Sequence, residues 1–404
     1  MDTSKMRILT DLSTIDLVEL EERARKISLA GAEIREILAT QNIRNEIANA
    51  IEDNYDFGRV VEVYEIFGGY VNRSFAAVCE REGVRTNYFV RKFNLVTTEI
   101  DVKLEHSLIN YVRYHGFPEV AWAYPTKTGQ TFVMANERLE GESRPRIYAA
   151  YVYLEGEDKH SWAKSNATPN ELKSIGAMHA RYHNAGRGFK EGDLVKAEPR
   201  TDKFYKTWAK SFQEMAARPL FEYPFHDYFN DALPGILGLL KKHAIPDEVW
   251  AELPLTTVHG DFHAGNLKFV GEDAVGMFDL DWAKVNYRLF DVCLTTLYIT
   301  QSWAADNDGQ IRIDDMANYL GSYNKTLGQL GGLPPLTATE KKWFVPMFHV
   351  CNLFLINWCT DGWFYQDPNT HNDYEGVRYM FHFLGSFPWI ERQRAELEAL
   401  VASV

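Results

Sequence analysis

The residues best suited to chemistry lie in one stretch, residues 258–282, which reads VHGDFHAGNLKFVGEDAVGMFDLDW. Polar side chains stand here between short apolar runs that have the composition of strands. Asp261 is followed by Asn266 after five residues and by Asp279 after thirteen more. Carboxylate and amide oxygens of this kind hold divalent cations, and a carboxylate can also take a proton. The stretch therefore predicts an active site.

Phosphoryl transfer gives each of these three side chains a task. In the pattern H-G-D-x-x-x-x-N, Asp261 is placed to orient the attacking hydroxyl and to take its proton. Asn266 and Asp279 are suited to hold Mg²⁺ on the phosphates. The runs LKFV and AVGMF can pair as a hairpin across residues 271–273, which would bring Asp279 back to Asn266. We therefore expect a kinase-type transfer from a nucleotide.

A metal-dependent hydrolase is the alternative for the same stretch. His259, Asp261 and His263 alternate, so a strand would turn all three to one side, where they could ligate zinc or a metal pair. The other histidines offer no further ligand set, because His179 and His183 share a helix face but are better explained by core packing. A hydrolase would also leave the downstream asparagine and aspartate without a task. Phosphoryl transfer is therefore favoured.

The composition limits the classes of protein to which the chain can belong. The 404 residues, 46% of them hydrophobic, suffice for two domains or one bilobed unit. A formal charge of −13 argues against a nucleic-acid partner, which requires clustered cations. The four cysteines are scattered, as expected for buried thiols in a reducing compartment. The first residues do not have the apolar core of a signal peptide, and apolar runs stay below about 18 residues, so we expect a cytoplasmic protein without a membrane partner.

A β-rich segment upstream is expected to bind the nucleotide. Its strand-like runs cover residues 59–67, 73–80 and 86–93. In the third run Arg91 and Lys92 face opposite sides, and one of them should reach the α- and β-phosphates. Glu105, on a helix predicted over residues 98–114, would hold that cation, unless it is only an exposed helix charge. The loop residues that could close over the phosphates are Gly68, Gly69, Asn72 and Ser74.

Helices are predicted on both sides of this segment. Apolar residues three and four apart predict an amphipathic helix over residues 15–40 and a second one through Ile51. These helices are expected to pack on their own domain, and the alternatives are a contact between two copies in a homodimer or a lid. Thr168 and Glu171 have the form of a capping box, which predicts the start of a helix. We expect an α+β fold in three parts: an N-terminal helical extension (1–54), a nucleotide-binding lobe (55–155) and a mainly helical lobe for catalysis and acceptor binding (156–404).

Five motifs together resemble the aminoglycoside phosphotransferase/choline kinase superfamily. They are HGDFHAGN, MFDLDW and LFDV in the helical part, with GGYVNRSF and YFVRKF upstream, and the resemblance covers about residues 55–390. It implies a bilobed protein-kinase-like fold with a small β-rich N-lobe and a larger, mainly helical C-lobe. It also implies ATP as donor, Mg²⁺ as cofactor and a hydroxyl group of a small molecule as acceptor.

The resemblance also gives roles to single residues. It implies Asp261 as catalytic base and Asn266 with Asp279 as Mg²⁺ ligands, and Asp281 would be a second acidic residue of the metal-binding segment. Asp291 would be a structural aspartate at the start of a helix. The segment YVYLEGE, which includes Tyr153, would be the hinge whose backbone pairs with adenine. The phosphate-binding lysine of the family aligns with Arg91, and Lys92 lies next to it.

The acceptor is expected to bind to the C-terminal helices. Residues 353–384 resemble the end of N-acetylhexosamine 1-kinases, which favours a sugar. The candidates for shaping the acceptor site are Asp361, Trp363, Tyr365 and Arg378. The same acidic and aromatic side chains would suit the cationic head group of an amino alcohol such as choline or ethanolamine. Homoserine, whose carboxylate Arg378 could meet, and an aminoglycoside are further alternatives.

Overall fold

The structure is a computed structural model of the 404-residue chain, and it describes residues 6–9, 31–66, 72–139, 142–162, 166–218, 223–365 and 373–404. The chain divides into two compact units. The first holds the described residues between Met1 and His106 and between Ala121 and Glu155, and the second holds Ser107–Val120 and Gly156–Val404. Among the helices of the described residues, none combines the length and the apolarity that a membrane span requires. The predicted three-part division stays a prediction.

The first unit is built on a six-stranded antiparallel sheet, whose strands lie in the order β1-β2-β3-β4-β6-β5. The strands are β1 (Met6–Leu9), β2 (Arg59–Ile66), β3 (Arg73–Arg81), β4 (Val84–Lys92), β5 (Val133–Leu139) and β6 (Glu142–Val152). The three strands predicted between residues 59 and 93 are therefore confirmed to within two residues at each end. Alternating apolar residues turn one face of this sheet towards a buried core.

Helix α1 (Gly31–Asn54) contributes the other side of that core. Its Ile47 and Ile51 are buried with Val63, Phe75 and Val90 of the sheet. The sequence predicted two helices here with a break near residue 40, whereas α1 is continuous from residue 31, and residues 10–30 lie outside the described part of the chain. Helix α2 (Glu99–Tyr114), predicted over residues 98–114, follows β4.

The second unit is mainly helical. Its helices are α3 (Pro169–Gly186), α4 (Thr201–Ala216), α5 (Pro224–Lys242), α6 (Asp247–Glu252), α7 (Arg288–Thr300), α8 (Ile313–Leu330), α9 (Ala338–Lys342), α10 (Phe344–Tyr365), α11 (Asp373–Arg392) and α12 (Arg394–Ser403). The predicted capping box is confirmed at the start of α3, where the Thr168 side chain accepts from the Glu171 backbone N–H and the Glu171 side chain accepts from Thr168. Helix α3 packs closely on α8, because Gly176 leaves room for the backbone of Tyr319.

Two short antiparallel strand pairs lie around residues 258–282. Strand β7 (Leu255–Val258) pairs with β10 (Lys284–Tyr287), and between them β8 (Leu267–Val270) pairs with β9 (Asp273–Met277). The predicted hairpin is therefore confirmed. Because both pairs are closed within about 30 residues of sequence, the loop after β7 and the loop after β9 are held side by side.

Candidate active site

The loop that carries Asp261 leaves β7 through a sharp backbone turn at Gly260. Gly260 has φ of +78°, and a Cβ atom there would lie 2.8 Å from the Trp282 carbonyl oxygen. Both facts require glycine, since other residues are strained in this region and would collide with Trp282. The turn presents the Asp261 side chain, which is 26% exposed, with His263 Nε2 3.5 Å from its Oδ2.

The structure brings Asn266 to this aspartate and sets Asp279 next to Asn266. Asn266 Nδ2 donates to the Asp261 backbone oxygen at 2.9 Å and lies 3.3 Å from the Asp261 carboxylate. The backbone N–H of Phe278 donates to the Asn266 backbone oxygen at 3.1 Å, which sets Asp279 beside the loop. Asp279 has φ of +68°, and such strain in a residue other than glycine or asparagine is concentrated at functional sites. Asp281 is half-buried in the turn that follows.

His259 braces the loop from inside the unit. Its Nε2 donates to the Phe278 carbonyl oxygen at 3.0 Å, and its Nδ1 accepts from the Asp261 backbone N–H at 3.3 Å. Burial lowers the pKa of His259, so the ring is neutral at pH 7. Because both ring nitrogens are used, this histidine is not available as a metal ligand.

The hydrolase alternative loses its geometric basis here. Strand β7 ends at Val258, so the three alternating residues do not lie on a strand. In the described part of the chain, the groups whose ligand atoms lie within 4.8 Å of one another are His179, His183 and Asp291, and His243, His349 and Glu391. The predicted trio of His259, Asp261 and His263 is not such a group.

A buried hydrogen-bond network of Asp291, His179 and His183 holds the backbone of this loop, and we call it the Asp291 network. Asp291 lies in the first turn of α7, as the resemblance implied, and is fully buried. Its carboxylate accepts from the backbone N–H groups of His259 at 2.9 Å and Gly260 at 2.8 Å. It also accepts from Nε2 of His179 and of His183, each at 3.0 Å. The two histidines are thus core residues with a positioning task that the sequence analysis missed, although their spacing of four on one helix was the available signal.

The electrostatics of the site keep Asp261 ionised. Burial by itself would raise the pKa of Asp261, but the interaction with His263, together with His259 and a hydrogen bond from Tyr298, brings this pKa below its usual value. The pKa of Asp291 is also held well below its usual range, because hydrogen bonds from His179 and His183 outweigh its burial. Two carboxylates with separate tasks are therefore charged at neutral pH.

In the first unit, packing decides which of the two cations of β4 pairs with Glu105. Arg91 Nη1 lies 3.7 Å from Glu105 Oε1, and both side chains are almost fully buried. Lys92, on the opposite face of β4, lies 2.7 Å from Glu46 of α1. The interpretation of Glu105 as an exposed helix charge is therefore wrong. The predicted cation–carboxylate pair is Arg91 with Glu105.

The structure describes some of the other residues that were predicted to contact the nucleotide. Gly68 and Gly69 lie outside the described residues. Asn72 Oδ1 accepts from the Asn94 backbone N–H at 2.9 Å, so this side chain braces the end of the loop. Ser74 lies opposite Arg91 in the register of β3 and β4. Tyr153 is half-buried and directly follows the end of β6.

Comparison with known proteins agrees with this architecture. The model of the phosphotransferase enzyme family matches residues 63–328, about two thirds of the chain. The chain belongs to this family. The predicted superfamily, the kinase-like α+β fold and the enzyme class, a kinase of small molecules, are thereby confirmed. The predicted similarity to N-acetylhexosamine 1-kinases is not confirmed.

Similar proteins include kinases and phosphotransferases that are named for different small molecules. Homoserine kinase of Nitrobacter hamburgensis is 23% identical over 273 residues, which cover 67% of this chain and 72% of that protein. A crystal structure of spectinomycin phosphotransferase in complex with ADP and spectinomycin has a TM-score of 0.58 at 14% identity and covers 85% of this chain and 94% of that one. A microcompartment-associated aminopropanol kinase has a TM-score of 0.58 at 13% identity, with 87% and 98% covered.

The four predicted acceptor residues of this phosphotransferase have different surroundings. Asp361 lies at the surface of α10, where partial desolvation raises its pKa. Trp363 is 3% exposed and packs against Phe225 with ring centroids 4.7 Å apart, so it is a core residue. Tyr365 ends α10, and its side chain lies outside the described part. Arg378 donates to the Trp303 carbonyl oxygen at 2.9 Å and lies 3.5 Å from Asp308. Asp361 is therefore exposed, Trp363 is buried in the core, and Arg378 is held by Asp308 and the Trp303 backbone.

A different set of side chains lies beside the loop of Asp261, and we call it the aromatic cluster. The Trp162 ring centroid lies 5.2 Å from Trp303, 6.1 Å from Trp358 and 5.1 Å from Tyr379. All four rings are only half-buried. A Cβ atom on Gly265 would lie 3.2 Å from the Trp162 backbone nitrogen, so the cluster adjoins the loop between His263 and Asn266. The sequence did not predict this cluster, because its members are far apart in the chain.

Proposed function

We propose that this phosphotransferase transfers the γ-phosphoryl group of ATP to a hydroxyl group of a small molecule, with Asp261 as the base. The observation that carries the proposal is the hydrogen-bonded juxtaposition of Asp261 and Asn266 with the strained residue Asp279 beside them. Transfer of this kind needs little covalent chemistry from the protein, but it needs an exact arrangement of charge. The tight turns at Gly260 and Asp279 supply that arrangement.

The three side chains fit a divalent cation and an attacking hydroxyl. The lowered pKa of Asp261 keeps its carboxylate ready to accept the proton of the hydroxyl. Asn266 directs its amide nitrogen to Asp261, which leaves the amide oxygen as the atom suited to a cation. With the Asp279 carboxylate, this gives the oxygen ligands that Mg²⁺ prefers. When bound, the metal ion would neutralise phosphate charge.

Arg91 is the proposed contact of the first unit to the ATP phosphates. Its guanidinium is oriented by Glu105, which also accepts a hydrogen bond from Tyr151 at 3.1 Å. A planar guanidinium can bind two phosphate oxygens at once, so it can replace the lysine of the family. The presence of ADP in the similar spectinomycin phosphotransferase supports a nucleotide as donor.

The proposed acceptor is an alcohol that carries an amino group. The half-buried rings of the aromatic cluster adjoin the Asp261 loop, and aromatic faces attract ammonium groups. Arg378 lies 5.6 Å from the Trp303 ring centroid and is held by Asp308, so it could meet a carboxylate on the same acceptor. The names of the similar homoserine and aminopropanol kinases denote acceptors of this type. An N-acetylhexosamine stays a prediction of the sequence.

The transfer itself is tested with Asp261→Asn. We expect turnover to fall by about 10²–10⁴-fold, the usual contribution of a general base, while ATP still binds. The matched control is Asp273→Asn, because this exposed residue on β9 makes the same chemical change away from the loop. ADP release is measured with choline, ethanolamine, aminopropanol, homoserine, an aminoglycoside and N-acetylglucosamine as acceptors. Full ATP-dependent turnover of Asp261→Asn with any of them would refute the base assignment.

The acceptor class is tested with pairs of compounds. We expect choline-like cations to have a lower KM than 3,3-dimethylbutan-1-ol, which has the same shape without the charge. Trp358→Leu should remove this preference. Arg378→Met should raise KM for homoserine and leave KM for aminopropanol unchanged, since only homoserine has a carboxylate. Equal KM values for the charged and neutral compounds would contradict the role of the aromatic cluster. They would leave the assignment of Asp261 as the base unchanged.

A further inference from the structure

A second group of metal-ligating side chains lies in the helical unit, outside the residues used above. His243 caps the C-terminus of α5, His349 lies within α10, and Glu391 lies in the last turn of α11. One ligand atom from each of the three lies within 4.8 Å of the other two. Because the three residues come from three different helices, their meeting is a product of the tertiary fold.

The two imidazole rings are held in place by packing. His243 and His349 are 7% and 0% exposed, and their ring centroids lie 3.8 Å apart with an angle of 33° between the planes. Phe387 of α11 stacks on His349 at 5.2 Å. Rings that are fixed in this way lose little freedom when they bind a metal ion.

The hydrogen bonds of this group are incomplete. His349 Nε2 bonds with Glu391 Oε1 at 2.6 Å, but His349 Nδ1 and His243 Nε2 are buried without a hydrogen-bond partner. An orphaned buried polar atom costs about 1–3 kcal/mol, so such atoms in a native structure call for an explanation. A cation at this position would satisfy His243 Nε2.

The Asp291 network provides a contrast. There, both ring nitrogens of His179 are paired, one with Asp291 at 3.0 Å and the other with the Tyr319 hydroxyl at 2.7 Å. His183 is paired in the same way with Asp291 and Tyr323. Those histidines have no lone pair left for a metal ion, whereas His243 has one.

The protonation states also suit a metal ion. Burial lowers the pKa of His243 to about 4 and that of His349 to about 3. A hydrogen bond from Arg394 lowers the pKa of Glu391 to about 2. At neutral pH the group therefore consists of two neutral imidazoles and one carboxylate, the forms in which these side chains bind metals.

Arg394 is the group that competes with a cation. Its Nη2 lies 2.7 Å from Glu391 Oε1, and its Nη1 lies 3.2 Å from Glu398. Lys242 is a second positive charge that acts on His243. A metal ion must therefore share Glu391 with Arg394, or Arg394 must rely on Glu398 alone.

We propose that His243, His349 and Glu391 form a zinc site. Two imidazoles and one carboxylate are a common zinc ligand set, with water in the fourth position. The ion would connect the ends of α5 and α11 with the second turn of α10, and so stabilise the helical unit. This role is independent of phosphoryl transfer, because none of the three residues has a task in the proposed reaction.

The test is zinc titration of the full chain after treatment with a chelator. We expect one Zn²⁺ per chain with a dissociation constant of about 1 µM or tighter, and a rise of the unfolding temperature with added Zn²⁺. Co²⁺ should give the visible absorption of a tetrahedral site. His243→Gln should weaken binding by more than about 100-fold. His226→Gln on the same helix is the matched control and should bind like the unchanged chain.

The variant Arg394→Gln distinguishes two explanations for weaker zinc binding, the loss of a ligand and misfolding. Removal of the competing cation should tighten zinc binding roughly tenfold, a gain that misfolding does not produce. Asp261→Asn should bind zinc normally, so failure of the proposed reaction and failure of this site are distinguishable. Absence of one-to-one zinc binding in the unchanged chain, or identical binding by His243→Gln, would overturn the proposal.

Discussion

Replacement of Asp291 by asparagine tests how the loop of Asp261 is held. The Asp291 carboxylate accepts four hydrogen bonds: Oδ1 accepts from Gly260, and Oδ2 accepts from His179, His183 and the His259 backbone. An asparagine of the same shape has one accepting oxygen and an NH₂ group that only donates. In either orientation, the NH₂ group faces at least one backbone N–H.

The expected loss of unfolding free energy follows from the less costly of the two orientations of the new side-chain amide. With NH₂ at the Oδ1 position, the Gly260 N–H loses its acceptor, which costs about 1–3 kcal/mol in a buried site. The three bonds to the other oxygen become bonds between neutral groups and lose about half their strength, roughly 1 kcal/mol each. We therefore expect Asp291→Asn to lower the free energy of unfolding by about 4 kcal/mol or more. Turnover should fall as well, because His259 and Gly260 position Asp261.

The assay is chemical denaturation followed by circular dichroism, with turnover measured on the same samples. Tyr319→Phe is the milder companion variant, because it removes the hydroxyl that donates to His179 Nδ1 at 2.7 Å. It should cost about 1–3 kcal/mol and is expected to fold even if Asp291→Asn does not. Asp273→Asn is the exposed control. A loss below about 1 kcal/mol for Asp291→Asn, with unchanged turnover, would show that the network does not hold the loop.

Three further outcomes are expected. Gly260→Ala should destabilise the fold by about 2 kcal/mol and lower kcat, because φ is +78° at this position. Chemical denaturation measures the first effect and a turnover assay the second. Unchanged stability and unchanged kcat would contradict the requirement for glycine in this turn. Arg91→Met should raise KM for ATP far more than Lys92→Met in steady-state kinetics, and the reverse order would move the phosphate contact to the lysine. Burial lowers the pKa of His106 and of His183 to about 3. Their neutral folded forms contribute stability that is present above about pH 6.5 and lost as the pH falls towards 3, by about 1.4 kcal/mol per pH unit for each residue. Equal unfolding free energies at pH 7.5 and 5.5 would exclude this effect.

The elements that the sequence determined are those with local causes. Thr168 and Glu171 cap the start of α3 through bonds that span three residues. The hairpin of β8 and β9 closes through Gly271, whose φ of +58° suits a tight turn. The pattern from Asp261 to Asn266 also lies within one loop, so the spacing alone predicted a common site for the two side chains.

The tertiary structure decided what depends on distant parts of the chain. Strand alternation placed Arg91 and Lys92 on opposite faces, but only the packing of α1 and α2 gave Glu46 to the lysine and Glu105 to the arginine. The aromatic cluster gathers rings from residue 162 to residue 379, which no local pattern connects. Trp363, chosen from sequence as an acceptor contact, is instead a core residue. Local hydrogen-bond geometry depends on residues that are neighbours in the sequence. The surface that a helix covers is determined only when the whole core is packed.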